Sequence, residues 1–102
     1  MNLPIVARQR VKYALSAARD WYDEQRPGLG EEFLTAVRST LTTIQHYPKI
    51  FSPSYGEVRR AIVSRFPYAV FYIVEPKRIV VLAVLHTSRD PKLWPRPRPR
   101  SK

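Results

Sequence analysis

Apolar residues follow two rhythms along this chain. In the first half they recur at helical spacing: Val11, Ala14, Leu15, Ala18 and Tyr22, then Phe33, Leu34, Val37, Leu41 and Ile44. Steps of three and four place such positions on one face of a helix. Over residues 58–86 the rhythm gives way to three short apolar runs, broken by Phe66-Pro67 and by Glu75-Pro76-Lys77-Arg78. Proline lacks the N–H that a ladder needs, so Pro67 and Pro76 punctuate the runs. Strands are expected over 58–65, 68–74 and 79–86, forming a three-strand antiparallel meander. In the second, Tyr68, Val70, Tyr72 and Val74 alternate with Ala69, Phe71 and Ile73, so both faces are apolar. The third is apolar on both parities too. Such strands are covered on both sides. One helix hairpin covers only one, so the other face awaits a partner or a returning C-terminal segment.

The punctuation fixes the remaining elements. The first helix runs from about Arg8 to Gln25 or Arg26, with Trp21 and Tyr22 as expected core anchors. Pro27-Gly28-Leu29-Gly30 reads as a tight turn. No Gly-Lys-Ser/Thr comes after it, so it is no phosphate loop. Glu31 and Glu32 suit the positive end of a second helix, which Pro48 stops just after His46. Residues 2–7, NLPIVA, read as a short edge strand. Residues 49–56 read as a connecting loop with Phe51 tucked beneath and Tyr55 as either an anchor or a stacking group. The expected fold is α+β: a short N-terminal strand, an antiparallel helix hairpin packed on the meander, and a basic C-terminal tail. The domain is expected over 1–94. Residues 95–102 open with alternating Pro and Arg and are expected to form a disordered, extended tail, with Trp94 pinning its start to the sheet.

Charge adds a partner class. Eighteen Lys+Arg face eight Asp+Glu, a net +10, and thirteen of the cations are Arg. Arginine matches phosphate and carboxylate bidentately, so a polyanionic or acidic partner is implied. Absence of cysteine excludes disulfides and thiolate metal ligands. With two His, no metal site and no cofactor are expected. There is neither an apolar run of ~18 residues nor a secretory signal, so no membrane contact and a cytoplasmic location are expected.

Certain stretches resemble a known family. These are Trp21-Tyr22-Asp23-Glu24-Gln25 with Arg26-Pro27-Gly28-Leu29-Gly30-Glu31-Glu32-Phe33, and Tyr47-Pro48 with Val58-Arg59-Arg60. Arg65-Phe66-Pro67-Tyr68 with Tyr72, and Val84-Leu85-His86 followed by Arg89-Asp90-Pro91 and Trp94, complete the set. In this order, across residues 7–94, they resemble the RelE/ParE toxin superfamily. That resemblance implies a RelE-like fold and the toxin of a type II toxin–antitoxin module. It implies neutralisation by a cognate acidic antitoxin in a toxin–antitoxin hetero-oligomer.

Two chemistries are implied by the superfamily. The ParE-like branch binds and poisons DNA gyrase; the helix-hairpin motif favours this branch. The RelE-like branch cuts mRNA on the ribosome. Metal-free RNA cleavage needs a base, an acid and cations around the phosphorane. The candidates for that reading are Arg65, His86 and Arg89, with Glu57 as a possible base. His86 equally suits a structural role at a strand end. For binding a partner or nucleic acid, the candidates are Arg59, Arg60, Arg65, Arg89, Arg96 and Arg98. An acidic, partly disordered antitoxin is expected to fold along the basic sheet.

Overall fold

The computed structural model describes residues 2–95. Arg96, Arg98 and the expected disordered tail lie outside the described residues. Helix α1 spans Gln9–Gln25 and α2 spans Leu29–His46, close to the expected bounds. α1 buries Val11, Ala18 and Tyr22, while α2 buries Phe33, Ala36, Val37, Thr40 and Ile44. Trp21 is not a core anchor, being 55% exposed. It lies one helical step of about 100° from Tyr22, which turns it away from the sheet.

The hairpin between the helices is tighter than a four-residue turn. Gly28, at φ 91°, caps α2, which has already begun at Leu29. Gly30 is therefore helical, and its N–H donates to Asp23 Oδ1 at 2.7 Å. That carboxylate of α1 satisfies a first-turn donor of α2 that Gly28 has no side chain to reach. A Cβ on Gly30 would lie 2.5 Å from the Arg19 carbonyl oxygen. Gly30 is thus required by the close approach of the helices.

The sheet is larger than the expected meander. Strands β1 (Ile5–Ala7), β2 (Pro53–Tyr55), β3 (Val58–Ile62), β4 (Tyr68–Val74) and β5 (Ile79–His86) stand in the order β1-β5-β4-β3-β2. The meander is β3-β4-β5. β1 adds a parallel strand beside β5, with Ile5 opposite Ile79, and β2 adds an antiparallel edge. The sheet is accordingly mixed and five-stranded. Residues 53–55, expected as loop, are too short to show alternation, and Pro53 sits where an edge tolerates it. β3 stops at Ile62 because the chain turns through Arg65, whose φ is 70°.

Both faces of the central strands are buried. The helix side holds Tyr22, Phe33, Ile44, Val70, Tyr72, Ile79, Val81 and Val84. The far side holds Val58, Ala69, Phe71, Ile73, Val80, Leu82 and Ala83, with Leu85 and Trp94 packed against them. After β5 the chain makes a single 3₁₀ turn at Pro91–Leu93 and brings the Trp94 ring to 5.3 Å from Phe71. The far face is therefore closed within the chain at Phe71, which is 1% exposed.

Tyr72 joins the layers. It is fully buried, and its hydroxyl donates to the Pro48 carbonyl at 2.7 Å. Burial pushes its pKa up to about 12, against a smaller opposite pull from Arg59.

These contacts can be tested at two points. Gly30→Ala should destabilise the fold by ~3 kcal/mol, because a backbone oxygen must yield; an unchanged thermal midpoint would contradict this packing. The second point concerns alkaline pH. An unfolded chain releases the Tyr72 proton near 10.0 and the folded chain only near 12. The contribution is full below the lower value and lost between the two, up to about 3 kcal/mol. Urea unfolding midpoints should fall across that window and fall less in Tyr72→Phe, even though that variant leaves the Pro48 carbonyl unpaired.

Candidate functional site

The candidate arginines do not share one surface. Successive strand residues point to opposite faces. Arg59 stands opposite Tyr72 on the helix side, whereas Arg60 stands opposite Phe71 on the far side. Arg59 Nη1 donates to the Phe51 carbonyl at 2.7 Å, which fixes the loop before β2. The Arg60 guanidinium lies 4.8 Å from the centre of the Trp94 ring.

Arg65 occupies the turn between β3 and β4. Its left-handed backbone is unfavourable for a residue with a Cβ, by roughly 1–2 kcal/mol. Its side chain reaches Glu32 of α2 at 3.9 Å and lies 5.7 Å from the Phe66 ring. At 66% side-chain exposure, that ion pair contributes little stability.

His86 ends β5 opposite Tyr68, with the two rings edge to face at 5.2 Å. The Ser88 N–H donates to His86 Nδ1 at 3.1 Å, and Ser88 Oγ lies 2.8 Å from the same nitrogen. A backbone donor makes Nδ1 the acceptor, so the neutral ring carries its proton on Nε2. Arg89 comes next, in a turn closed by its own N–H to the His86 carbonyl at 3.0 Å. Tyr68, His86 and Arg89 line a cleft of about 280 Å³ whose other wall is Ala14, Ala17 and Ala18 of α1. Burial raises the Tyr68 pKa, and the Arg89 charge partly opposes this.

The strand register separates these groups. Arg59 pairs with Tyr72 and His86 with Tyr68, four residues apart along β4. At about 3.3 Å per residue that is ~13 Å. Glu57 precedes β3 at the end of the sheet away from His86. His46 is at the end of α2, where its Nδ1 lies 3.0 Å from the Thr42 carbonyl oxygen. Of the named candidates among the described residues, His86 and Arg89 share a cleft. Tyr68 is the member of that cleft that sequence reasoning misses, although it stands directly after the Arg65-Phe66-Pro67 punctuation. Among the described residues, no group of three or more His, Asp or Glu is placed to hold a metal ion. No described helix is long and apolar enough to cross a membrane.

A helix hairpin thus packs on one face of a five-stranded mixed sheet, with a cleft lined by His86 and Arg89 at the exit of β5. A family model described as the ParE toxin of type II toxin–antitoxin system, parDE, matches residues 8–91. The chain belongs to the ParE toxin family. A solved structure titled "Chromosomal ParDE TA system from P. aeruginosa" is similar in fold, with a TM-score of 0.74 at 16% identity. The match covers 84% of this chain and 97% of that one. No curated protein matches the sequence.

Arg65→Gly should relieve the left-handed strain and raise stability by about 1 kcal/mol despite removing the Glu32 contact. If Arg65 serves binding, the same variant loses partner affinity, so stability and function move in opposite directions. Thermal denaturation alongside a binding titration measures both, and a destabilised variant would overturn the strain assignment.

Proposed function

We propose that this chain is the growth-arresting toxin of a type II toxin–antitoxin pair, and that it acts by binding DNA gyrase without a catalytic site of its own. A cognate acidic antitoxin holds it inactive in a hetero-oligomer. The supporting observation is the dispersal of the candidate cations. Arg59 is engaged with the Phe51 carbonyl, Arg60 lies on the far face with Trp94, and Arg65 contacts Glu32. Phosphoryl chemistry on RNA needs such charges gathered around one phosphate. A dispersed set suits grip on a protein surface better.

The antitoxin contact is best placed on α1. Tyr13 and Trp21 are 68% and 55% exposed, and Ala17 lies between them at four-residue spacing. They form an apolar stripe beside the cationic His86 cleft. An acidic amphipathic segment complements both features. The apolar far side of the sheet is the less suitable surface, since Phe71, Val80 and Leu82 are already buried there.

One observation favours a second reading, ribosome-dependent mRNA cleavage. His86 and Arg89 share a cleft with Tyr68. There the Nε2–H of His86 would hydrogen-bond a phosphoryl oxygen, and Arg89 would meet the phosphorane charge.

The two readings separate in one comparison. Purified protein added to gyrase and relaxed plasmid should block supercoiling and accumulate cleaved DNA trapped on gyrase. Induced expression should arrest growth while mRNA stays intact, and His86→Ala should arrest it equally. Codon-phased mRNA cuts that vanish in His86→Ala or Arg89→Ala, with supercoiling unaffected, would sink the gyrase proposal and establish the second.

A further inference from the structure

The far face of the sheet carries two adjoining clefts that the His86 site does not touch. The larger, about 560 Å³, lies between the strand preceding Tyr55, Arg60, Ile62 and Trp94. The smaller, about 220 Å³, lies among Ser54, Tyr55, Pro91 and Trp94. Ser54 and Trp94 border both, so the indole forms a shared wall between two hollows. No acidic side chain lines either one.

Arg60 is the charged group of this surface. It is half-buried, and it makes no ion pair among the described residues. Its guanidinium is held over the Trp94 ring, and that ring rests on Phe71. The cation is thus positioned by aromatic contact and left without a carboxylate. A partly desolvated cation in an acid-free hollow favours an anion. Around it are ring faces and exposed apolar groups, including Ile62 at 51% and Tyr55 at 52% exposure. The ligand chemistry that combines flat rings with anionic charge at short repeat is a polynucleotide whose bases are unstacked.

We propose that these clefts bind a short segment of single-stranded nucleic acid. One base stacks on the tier made by Arg60 and Trp94. Its neighbour enters the hollow between Trp94 and Tyr55, and Arg60 meets the phosphate between them. A duplex is a poorer ligand, because its bases are already stacked and cannot enter either hollow. The site lies on the face opposite the His86 cleft and stands independently of the gyrase proposal.

The test uses the full chain with Trp21→Phe as background, leaving Trp94 as the one tryptophan. An oligothymidylate of about twelve nucleotides, within the usual site size for such surfaces, is titrated at several salt concentrations. Binding should quench Trp94 fluorescence saturably and weaken linearly on a log–log salt plot. Arg60→Gln should weaken it about tenfold, as should Tyr55→Leu. Arg38→Gln, an exposed control on α2, should change it less than about twofold. Trp94→Phe, which keeps a ring on Phe71, should retain binding by fluorescence polarisation, whereas Trp94→Leu should lose it. The proposal is overturned if Trp94 is not quenched, or if Arg60→Gln and Arg38→Gln weaken binding equally. It is also overturned if inorganic polyphosphate or polyglutamate produces the same saturable quench, since charge alone or an acidic protein segment would then suffice.

Discussion

The central strands are apolar on both sides, yet the chain supplies helices for only one. This constraint shapes much of the molecule. Phe71, Ile73, Val80 and Leu82 all lie on the side away from the helices and are buried. Each such side chain contributes roughly 1.5–3 kcal/mol when removed from water, so the face cannot be left open at small cost. The chain meets the requirement by turning back after β5. Asp90 accepts from the Lys92 N–H at 2.9 Å and starts a 3₁₀ turn that carries Trp94 to Phe71. The closure is local to Phe71: toward the β2 edge Ile62 and Tyr55 stay exposed, as do Tyr13 and Trp21 on α1.

The pleat then decides what the basic residues can do. Arg59 and Arg60 are adjacent in sequence, and adjacency in a strand means opposition in space. Arg59 is drawn to the helix side, where the open carbonyls of the Lys49–Phe51 region take its donors. Arg60 is drawn to the far side, where Trp94 lies beneath it. A strand rich in arginine is therefore not a surface rich in arginine. Among the described residues these two arginines stand on opposite faces of the sheet and are not gathered around one point.

Much of the fold is legible in the sequence because its signals are local and periodic. Residues 9–25 and 29–46 repeat at helical spacing, and Pro48, Pro67 and Pro76 mark ends that the structure keeps. The features that escape have no period or depend on distant residues. Pro53–Tyr55 is too short to alternate, and the parallel pairing of β1 with β5 joins residues more than seventy positions apart. Gly30 reads as part of a turn because only the neighbouring helix, through the Arg19 carbonyl, reveals why it must lack a Cβ. Trp21 and Tyr22 read as one unit, though one helical step separates a solvent-facing ring from a buried one. At the site, His86 and Arg89 are visible as residue types. Their cleft is not, since Tyr68 comes from β4 and the alanine wall from α1.

The direction of His86 rests on a single extra residue. Phe71 pairs with Ala83 and Tyr72 with Val81, so Leu82 is inserted into β5 without a partner. Before this bulge Ile79 and Val81 face the helices; after it Val84 does. The parity of the strand has switched. Without the insertion, alternation would continue through residues 83 and 85 and leave His86 on the far side with Trp94. With it, His86 falls on the helix side, two residues beyond Val84, against Ala14, Ala17 and Ala18. Bulges bend a strand and re-aim the side chains beyond them, and the three alanines leave the room that a longer side chain on α1 would fill. The cleft therefore depends on two sequence features that carry no chemistry themselves, one irregular residue in β5 and one small-residue patch on α1.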